Sequence, residues 1–138
     1  MPPVNVAVIG SGFMGAAHVD ALRRVPGVNV VAIASMDFPR AKELAAQFGI
    51  INVFDDWKAL LDRDDVQAVH NCTPNNLHFE VNKAFIEAGK HVLSEKPLTM
   101  TSQESAELLP WSCGRARHNA QVSRTPRPVL VPICTVTL

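Results

Sequence analysis

The sequence predicts an α/β fold with a doubly wound parallel sheet, and three observations predict it. Short β-branched runs alternate with stretches of helical periodicity, the links between them are short, and a glycine-rich turn joins the first run to the first helix. Strands that alternate with helices in this way form βαβ units, with parallel strands and right-handed crossovers. The 138 residues give room for one ordinary domain and not for two.

The elements follow in order. Val4–Ile9 reads VNVAVI, the form of a strand buried on both faces. Met14, Ala17, Ala21, Leu22 and Val25 then recur at helical spacing, with Arg23 and Arg24 outside the stripe, and Pro26-Gly27 closes that helix. Val28–Ala34 is the second strand. Asp37 is placed to cap a helix whose apolar face is Ala41, Leu44, Ala45 and Phe48, closed by Gly49. Residues 51–54 form a short third strand, and Asp55 or Asp56 can cap a short helix that buries Leu60 and Leu61. Residues 66–72 form the fourth strand. Leu77, Val81, Ala84, Phe85 and Ala88 stripe the next helix, which Gly89 ends. His91–Ser94 is the fifth strand. Thr101 and Glu104 have capping-box spacing, so a further helix starts there, and Pro110 is expected to break it early.

Composition narrows the function classes. Hydrophobic residues at 47% against 19% charged suit a packed core, and a net charge of +0 supplies no field to attract nucleic acid or an anionic membrane. No apolar run approaches the roughly 20 residues of a membrane helix. The opening MPPVNVAVIG has no basic region before its apolar run, so a signal peptide is not expected. Cys72, Cys113 and Cys134 form an odd set without a CxxC pair, which fits a reducing, cytoplasmic location. No set of His, Cys, Asp and Glu has metal-ligand spacing, so no metal is expected.

The neutral total hides an asymmetry. All 13 acidic residues lie at or before Glu107, while the segment from Leu108 onward carries Arg115, Arg117, Arg124 and Arg127 and no acid or lysine. Four of the ten prolines also lie there, so the composition changes sharply near Leu109. Residues 1–109 are expected to be one domain. Residues 110–138 are expected to be an atypical tail, out-of-frame or disordered. A genuine short form is the alternative, in which the end of the tail adds an edge strand interrupted by Pro132.

Gly10-Ser11-Gly12-Phe13-Met14-Gly15 is GxGxxG, placed between the first strand and the first helix. Gly10 allows the tight turn, Gly12 lets the backbone approach a pyrophosphate, and Gly15 lets the helix pack close to the strand. The helix N-terminus offers free N–H groups to the anion. The competing reading is a tight βα turn with no ligand. With the nucleotide reading, the domain is of Rossmann type. The second strand ends Ala34-Ser35-Met36-Asp37, where an acid would bind the ribose hydroxyls of NAD. Ser35 can bond a hydroxyl or a phosphate, Arg40 can approach a 2′-phosphate, and Asp37 can be only a helix cap. NAD and NADP both stay open.

Residues 70–78 read HNCTPNNLH at the end of the fourth strand, where ligands sit in open α/β sheets. Thr73, Pro74 and Asn75 form the loop, and His78 falls on the first turn of the next helix. His70 and Asn71 read equally as ordinary strand residues, and Asn75 as a helix cap. Glu95-Lys96-Pro97 follows the fifth strand at the same sheet edge. Lys96 there can stabilise a developing alkoxide, or be an exposed lysine in a turn that Pro97 fixes. Cys72 reads as a small core residue, and His18 as a surface or packing histidine.

GSGFMG with His18 after it, CTPNNLH at residues 72–78 and GKHVLSEKP at residues 89–97 together resemble the glucose–fructose oxidoreductase / inositol dehydrogenase / MocA (Gfo/Idh/MocA) family, over about residues 4–109. The resemblance implies that residues 10–15 bind the pyrophosphate of a nicotinamide dinucleotide, NAD or NADP, and that Ser35, Asp37 and Arg40 flank the adenosine ribose. It implies that Thr73, Asn75 and His78, with Pro74 in their loop, line the nicotinamide side. Glu95 and Lys96 would contact cofactor ribose and substrate, with Lys96 counted as catalytic. The implied reaction is hydride transfer between the nicotinamide and a hydroxyl or carbonyl of a sugar, cyclitol or related polyol. Family members continue into a second α/β domain that completes the substrate site and builds oligomer contacts, and no such domain is found in this sequence. The expectation is therefore a single domain, whose sheet is left incomplete if the departure near Leu109 removes a last strand. It would bind cofactor with little or no turnover, take a sugar-like substrate only with a second domain supplied, and have an oligomeric state the sequence leaves open. Two rival readings are a non-catalytic nucleotide-binding module and a non-functional truncation product.

Overall fold

The structure, a computed structural model, describes residues 2–112; the rest of the expected tail lies outside the described residues. Five strands, β1 (Val4–Ile9), β2 (Val28–Ala34), β3 (Asn52–Phe54), β4 (Ala68–Asn71) and β5 (His91–Ser94), alternate with the helices α1 (Phe13–Leu22), α2 (Phe38–Phe48), α3 (His78–Glu87) and α4 (Ser102–Ser112). The sheet order is β3-β2-β1-β4-β5 and every pairing is parallel. The order reverses at β1, which places a crevice between the carboxyl ends of β1 and β4.

The alternation of β1 divides the core in two. Val6 and Val8 point to the face covered by α1 and α2, where they meet Val19, Leu22, Ile33, Ala41 and Leu44. Ala7 and Ile9 point to the opposite face, where Val69, Val81, Phe85 and Val92 gather. Helices on both faces make the sheet doubly wound, and β1, buried on both, must be apolar throughout its inner length.

The predicted stripe of α1 is corrected by the structure. Its buried residues are Gly15, Val19 and Leu22, while Met14, Ala17 and Ala21 are exposed. The close approach of Gly15 to the turn before it sets the helix rotation, and positions four and seven residues later follow it inward. Val25 lies beyond the end of α1 and is 48% exposed. On α3 the inward set is His78, Val81, Asn82 and Phe85, and Ala88 is exposed. β3 starts at Asn52 rather than at 51, because only Ala32, Ile33 and Ala34 of β2 offer it partners; Ile51 is 92% exposed. β4 is shorter than residues 66–72, matching Val6 to Ile9 of β1 one for one.

Pro110 does not break α4, which continues to Ser112. Proline forfeits one intrahelical hydrogen bond. The helix is held upstream by its capping box, in which Glu104 N donates to Thr101 Oγ1 (3.2 Å) and Thr101 N donates to Glu104 Oε2 (3.1 Å), and by buried Leu108. The short segment after β3 is a 3₁₀ turn, Trp57–Leu60, capped by Asp56, with Leu60 fully buried and Leu61 partly so. Among the described residues no helix is long and apolar enough to cross a membrane.

Candidate functional site

An open groove of about 430 Å³ runs along the carboxyl ends of the central strands. The turn from β1 into α1 forms its wall, and the three glycines of that turn answer to different constraints. Gly10 has φ +107°, which L side chains rarely adopt, and a Cβ there would collide with the Cys72 carbonyl. A Cβ at Gly15 would collide with the Gly10 carbonyl. Gly12 is different: its φ of −72° suits any residue, and a Cβ there would meet nothing within 4 Å. Gly12 is also the N-cap of α1 and makes no side-chain cap, so the first-turn N–H groups have no side-chain acceptor.

The far side of the groove is the end of β2. Ser11 Oγ donates to Ser35 Oγ (2.8 Å), which also accepts from Asp37 N (3.3 Å), so the glycine turn and the β2 loop are tied together. Asp37 caps α2, its Oδ1 accepting from Arg40 N (3.2 Å), and it still lines the groove. The Arg40 side chain is exposed there.

The loops after β4 and β5 are held from beneath by buried polar groups. Thr73 donates from N (3.2 Å) and Oγ1 (2.7 Å) to Asn71 Oδ1. Asn71 Nδ2 donates to Asn82 Oδ1 (2.8 Å), and Asn82 Nδ2 donates to Ser94 Oγ (3.0 Å), which links β4, α3 and β5. His78, 1% exposed, stands between the carbonyls of Pro97 (Nδ1, 2.6 Å) and Thr73 (Nε2, 2.9 Å); a neutral ring donates to one of the two. Asn75 is exposed and caps no helix by its side chain.

Beside these loops His18 on α1 joins β4 to the segment after β5. Its Nδ1 lies 2.9 Å from His70 Nδ1 and its Nε2 lies 2.8 Å from Glu95 Oε1. Burial, with the neighbouring His18, pushes the His70 imidazole down to about 4, against an opposing pull from Glu95. Burial, helped by Glu95, pushes the Cys72 thiol up to about 12, so it is no nucleophile. Lys96 is exposed, makes no hydrogen bond or ion pair within the described residues, and precedes a cis peptide to Pro97.

The groove thus brings together Gly10, Ser11, Gly12, Phe13 and Met14 with Ser35, Asp37 and Arg40, and with Thr73 and Pro74. Gly15 packs under the turn, and His78 is buried below the loops. Asn75, Glu95 and Lys96 do not line the groove. The sequence reading missed Asn82 and passed over His18 and His70. The signal for His18 was its spacing: three residues past Gly15, it shares the helix face that Gly15 turns to the sheet. Among the described residues no three His, Cys, Asp or Glu side chains are grouped to hold a metal ion.

Known proteins resemble this chain in sequence and in fold. Levoglucosan dehydrogenase of Pseudarthrobacter phenanthrenivorans is 40% identical over 115 residues, which cover 76% of this chain and 29% of that protein. The crystal structure of GenD2 from gentamicin A biosynthesis, in complex with NAD, superposes with a TM-score of 0.78 at 31% identity, over 84% of this chain and 33% of that one. A variant of KijD10, a 3-ketoreductase from Actinomadura kijaniata in complex with TDP-benzene and NADP, superposes with a TM-score of 0.74 at 39% identity, over 83% of this chain and 36% of that one. The chain therefore spans about a third of the length of these relatives. The oxidoreductase family of NAD-binding Rossmann fold, Gfo/Idh/MocA, matches residues 4–112, and the chain belongs to it.

Proposed function

We propose that the groove binds a nicotinamide dinucleotide, NAD or NADP, and that the chain is the cofactor-holding part of an oxidoreductase acting on a sugar, cyclitol or related polyol. Gly12 carries the reading. Nothing in the protein requires glycine there, yet Gly12 lines the groove at the uncapped N-terminus of α1. That is the requirement of a ligand whose anion comes against the backbone.

Residues 10–15 then hold the pyrophosphate. Ser35, Asp37 and Arg40 hold the adenosine ribose, where the Asp37 carboxylate favours free hydroxyls and the Arg40 guanidinium favours a 2′-phosphate. Thr73, Pro74, Asn75 and His78 border the nicotinamide side, His78 from beneath, between the carbonyls of Thr73 and Pro97. The bound nicotinamide supplies or accepts hydride. Lys96, with an unpaired ammonium among the described residues, steadies the oxygen that gains charge as hydride moves, and Glu95 orients beside it. The relatives' names support a carbohydrate-like substrate. The 138 residues by themselves bind cofactor with little or no turnover, since they span about a third of those relatives.

Calorimetric titration of the purified chain with NADH and with NADPH tests the reading. Saturable binding of at least one is expected, together with no steady NAD(P)H formation from polyols. Absence of binding for both overturns the cofactor assignment, and steady turnover overturns the second part.

A further inference from the structure

At the carboxyl edge of the sheet, side chains from α1, β4 and the segment after β5 meet in a line, His70···His18···Glu95. The contacts are 2.9 Å between the two Nδ1 atoms and 2.8 Å from His18 Nε2 to Glu95 Oε1, and the two rings stand edge to face. The His18 and Glu95 side chains are only 15% and 20% exposed.

The chemistry of the three groups couples their hydrogens. A carboxylate only accepts, so His18 Nε2 carries a hydrogen. A neutral His18 then has a bare Nδ1, and His70 must donate to it from its own Nδ1. A protonated His18 donates from both nitrogens, so His70 must accept at Nδ1 and carry its hydrogen on Nε2. One proton gained at His18 therefore switches the tautomer of His70. His70 does not compete for that proton, because burial and His18 itself hold it well below the usual imidazole range.

The surroundings leave this line intact. β1 and β2 carry no titratable side chain. β4 presents His70, with Cys72 just beyond, and the segment after β5 presents Glu95 and then Lys96. Arg40, Lys42 and Glu43 of α2 are exposed, and Asp20 on α1 is paired with Arg24. On α3, which packs against β4 and β5, His78 stands between the Thr73 and Pro97 carbonyls, Lys83 is paired with Glu107, and Glu80 and Glu87 are exposed.

We infer that His18 is a positioning residue that holds the Glu95 carboxylate, and the backbone that presents Lys96, through a titratable link to His70. The backbone already anchors the segment, Glu95 N donating to the Asn71 carbonyl (2.9 Å), so His18 fixes the part that the strand pairing does not. Protonation turns the His18–Glu95 hydrogen bond into an ion pair, which is the stronger link. The consequence for cofactor rests on the function proposed above: affinity for NADH rises as His18 gains its proton. The tautomer link does not rest on it.

The test is long-range proton–nitrogen correlation NMR of the imidazoles in the full ¹⁵N-labelled chain without cofactor, between about pH 5 and 8. His70 is expected to change from the Nδ1–H to the Nε2–H tautomer with the same midpoint as His18. In His18→Gln, whose amide still donates to Glu95 but does not titrate, the His70 tautomer is expected to stay fixed. A tautomer that ignores His18 titration, or still switches in His18→Gln, overturns the inference. In NADH titrations, His18→Gln should lose the pH dependence, and His18→Leu should weaken binding roughly tenfold throughout. A pH dependence unchanged in His18→Gln overturns the positioning role. A chain that binds no NADH overturns the function proposed above, and the tautomer measurement then decides the His18 link alone.

Discussion

Gly15 lies so close beneath Gly10 that a Cβ at position 15 would overlap the Gly10 carbonyl. The turn thus has no room for a Cβ at Gly10 or Gly15, while at Gly12 a Cβ would meet no protein atom within 4 Å.

That contrast separates stability from binding. Gly15→Ala should destabilise the fold by about 1–3 kcal/mol through overpacking, measured by urea denaturation. Gly12→Ala should leave stability within about 0.5 kcal/mol and yet weaken NADH binding by roughly tenfold or more. Full NADH affinity in Gly12→Ala would remove the main support for the cofactor site.

Asn82 should behave as a buried keystone of three elements. It is 1% exposed and bridges Asn71 to Ser94. Asn82→Leu leaves both partners short of a hydrogen bond and should cost about 1–3 kcal/mol. A double-mutant cycle with Asn71→Leu should show coupling, because the Asn71–Asn82 hydrogen bond broken in each single variant is lost only once in the double.

Stability should fall on the acid side through His70. Its folded pKa is depressed, so the contribution is fully present above the ordinary imidazole value of 6.5 and is lost as pH falls toward about 4. Allowing for partial exposure, the loss is on the order of 2 kcal/mol. His70→Gln should flatten that limb in denaturation curves taken across the window. An unchanged limb would place the acid sensitivity elsewhere.

Asp37 can be divided into its two roles. Asp37→Asn keeps a good cap and should leave stability near unchanged, whereas Asp37→Ala should lose about 1 kcal/mol. Only the charge is lost in Asp37→Asn, so its NADPH-to-NADH affinity ratio should rise. A ratio that does not move would confine Asp37 to capping α2.

The fold was legible because a parallel sheet buried on both faces needs apolar strands, and β1 and β2 are apolar almost throughout. Element ends were less legible, since β3 extends only as far as β2 offers partners. The face of α1 was misread because Met14, Ala17 and Ala21 look apolar, while the inward position is set by a glycine with no hydropathy to show. Pro110 was misread because the helix is stabilised by a capping box more than a turn upstream and by the burial of Leu108. Of the groove, the glycine turn, the end of β2 and Thr73 with Pro74 were legible in the sequence, whereas Asn75, Glu95 and Lys96, expected beside them, do not line it. The His18–His70–Glu95 line was not legible, since its members are 52 and 77 residues apart and meet only through sheet order.

The same dispersal has a thermodynamic consequence. The groove draws on three loops and Trp57, which a parallel sheet assembles from distant stretches of chain, so no fragment of the unfolded polypeptide contains it. A ligand seated there recognises the native sheet alone and stabilises it by mass action, about 2.7 kcal/mol at a hundredfold excess over Kd. Melting temperature as a function of NADH concentration therefore tests binding to the native state, and a curve that keeps rising with the logarithm of concentration after the site is filled is the signature of a site that exists only when the whole domain does.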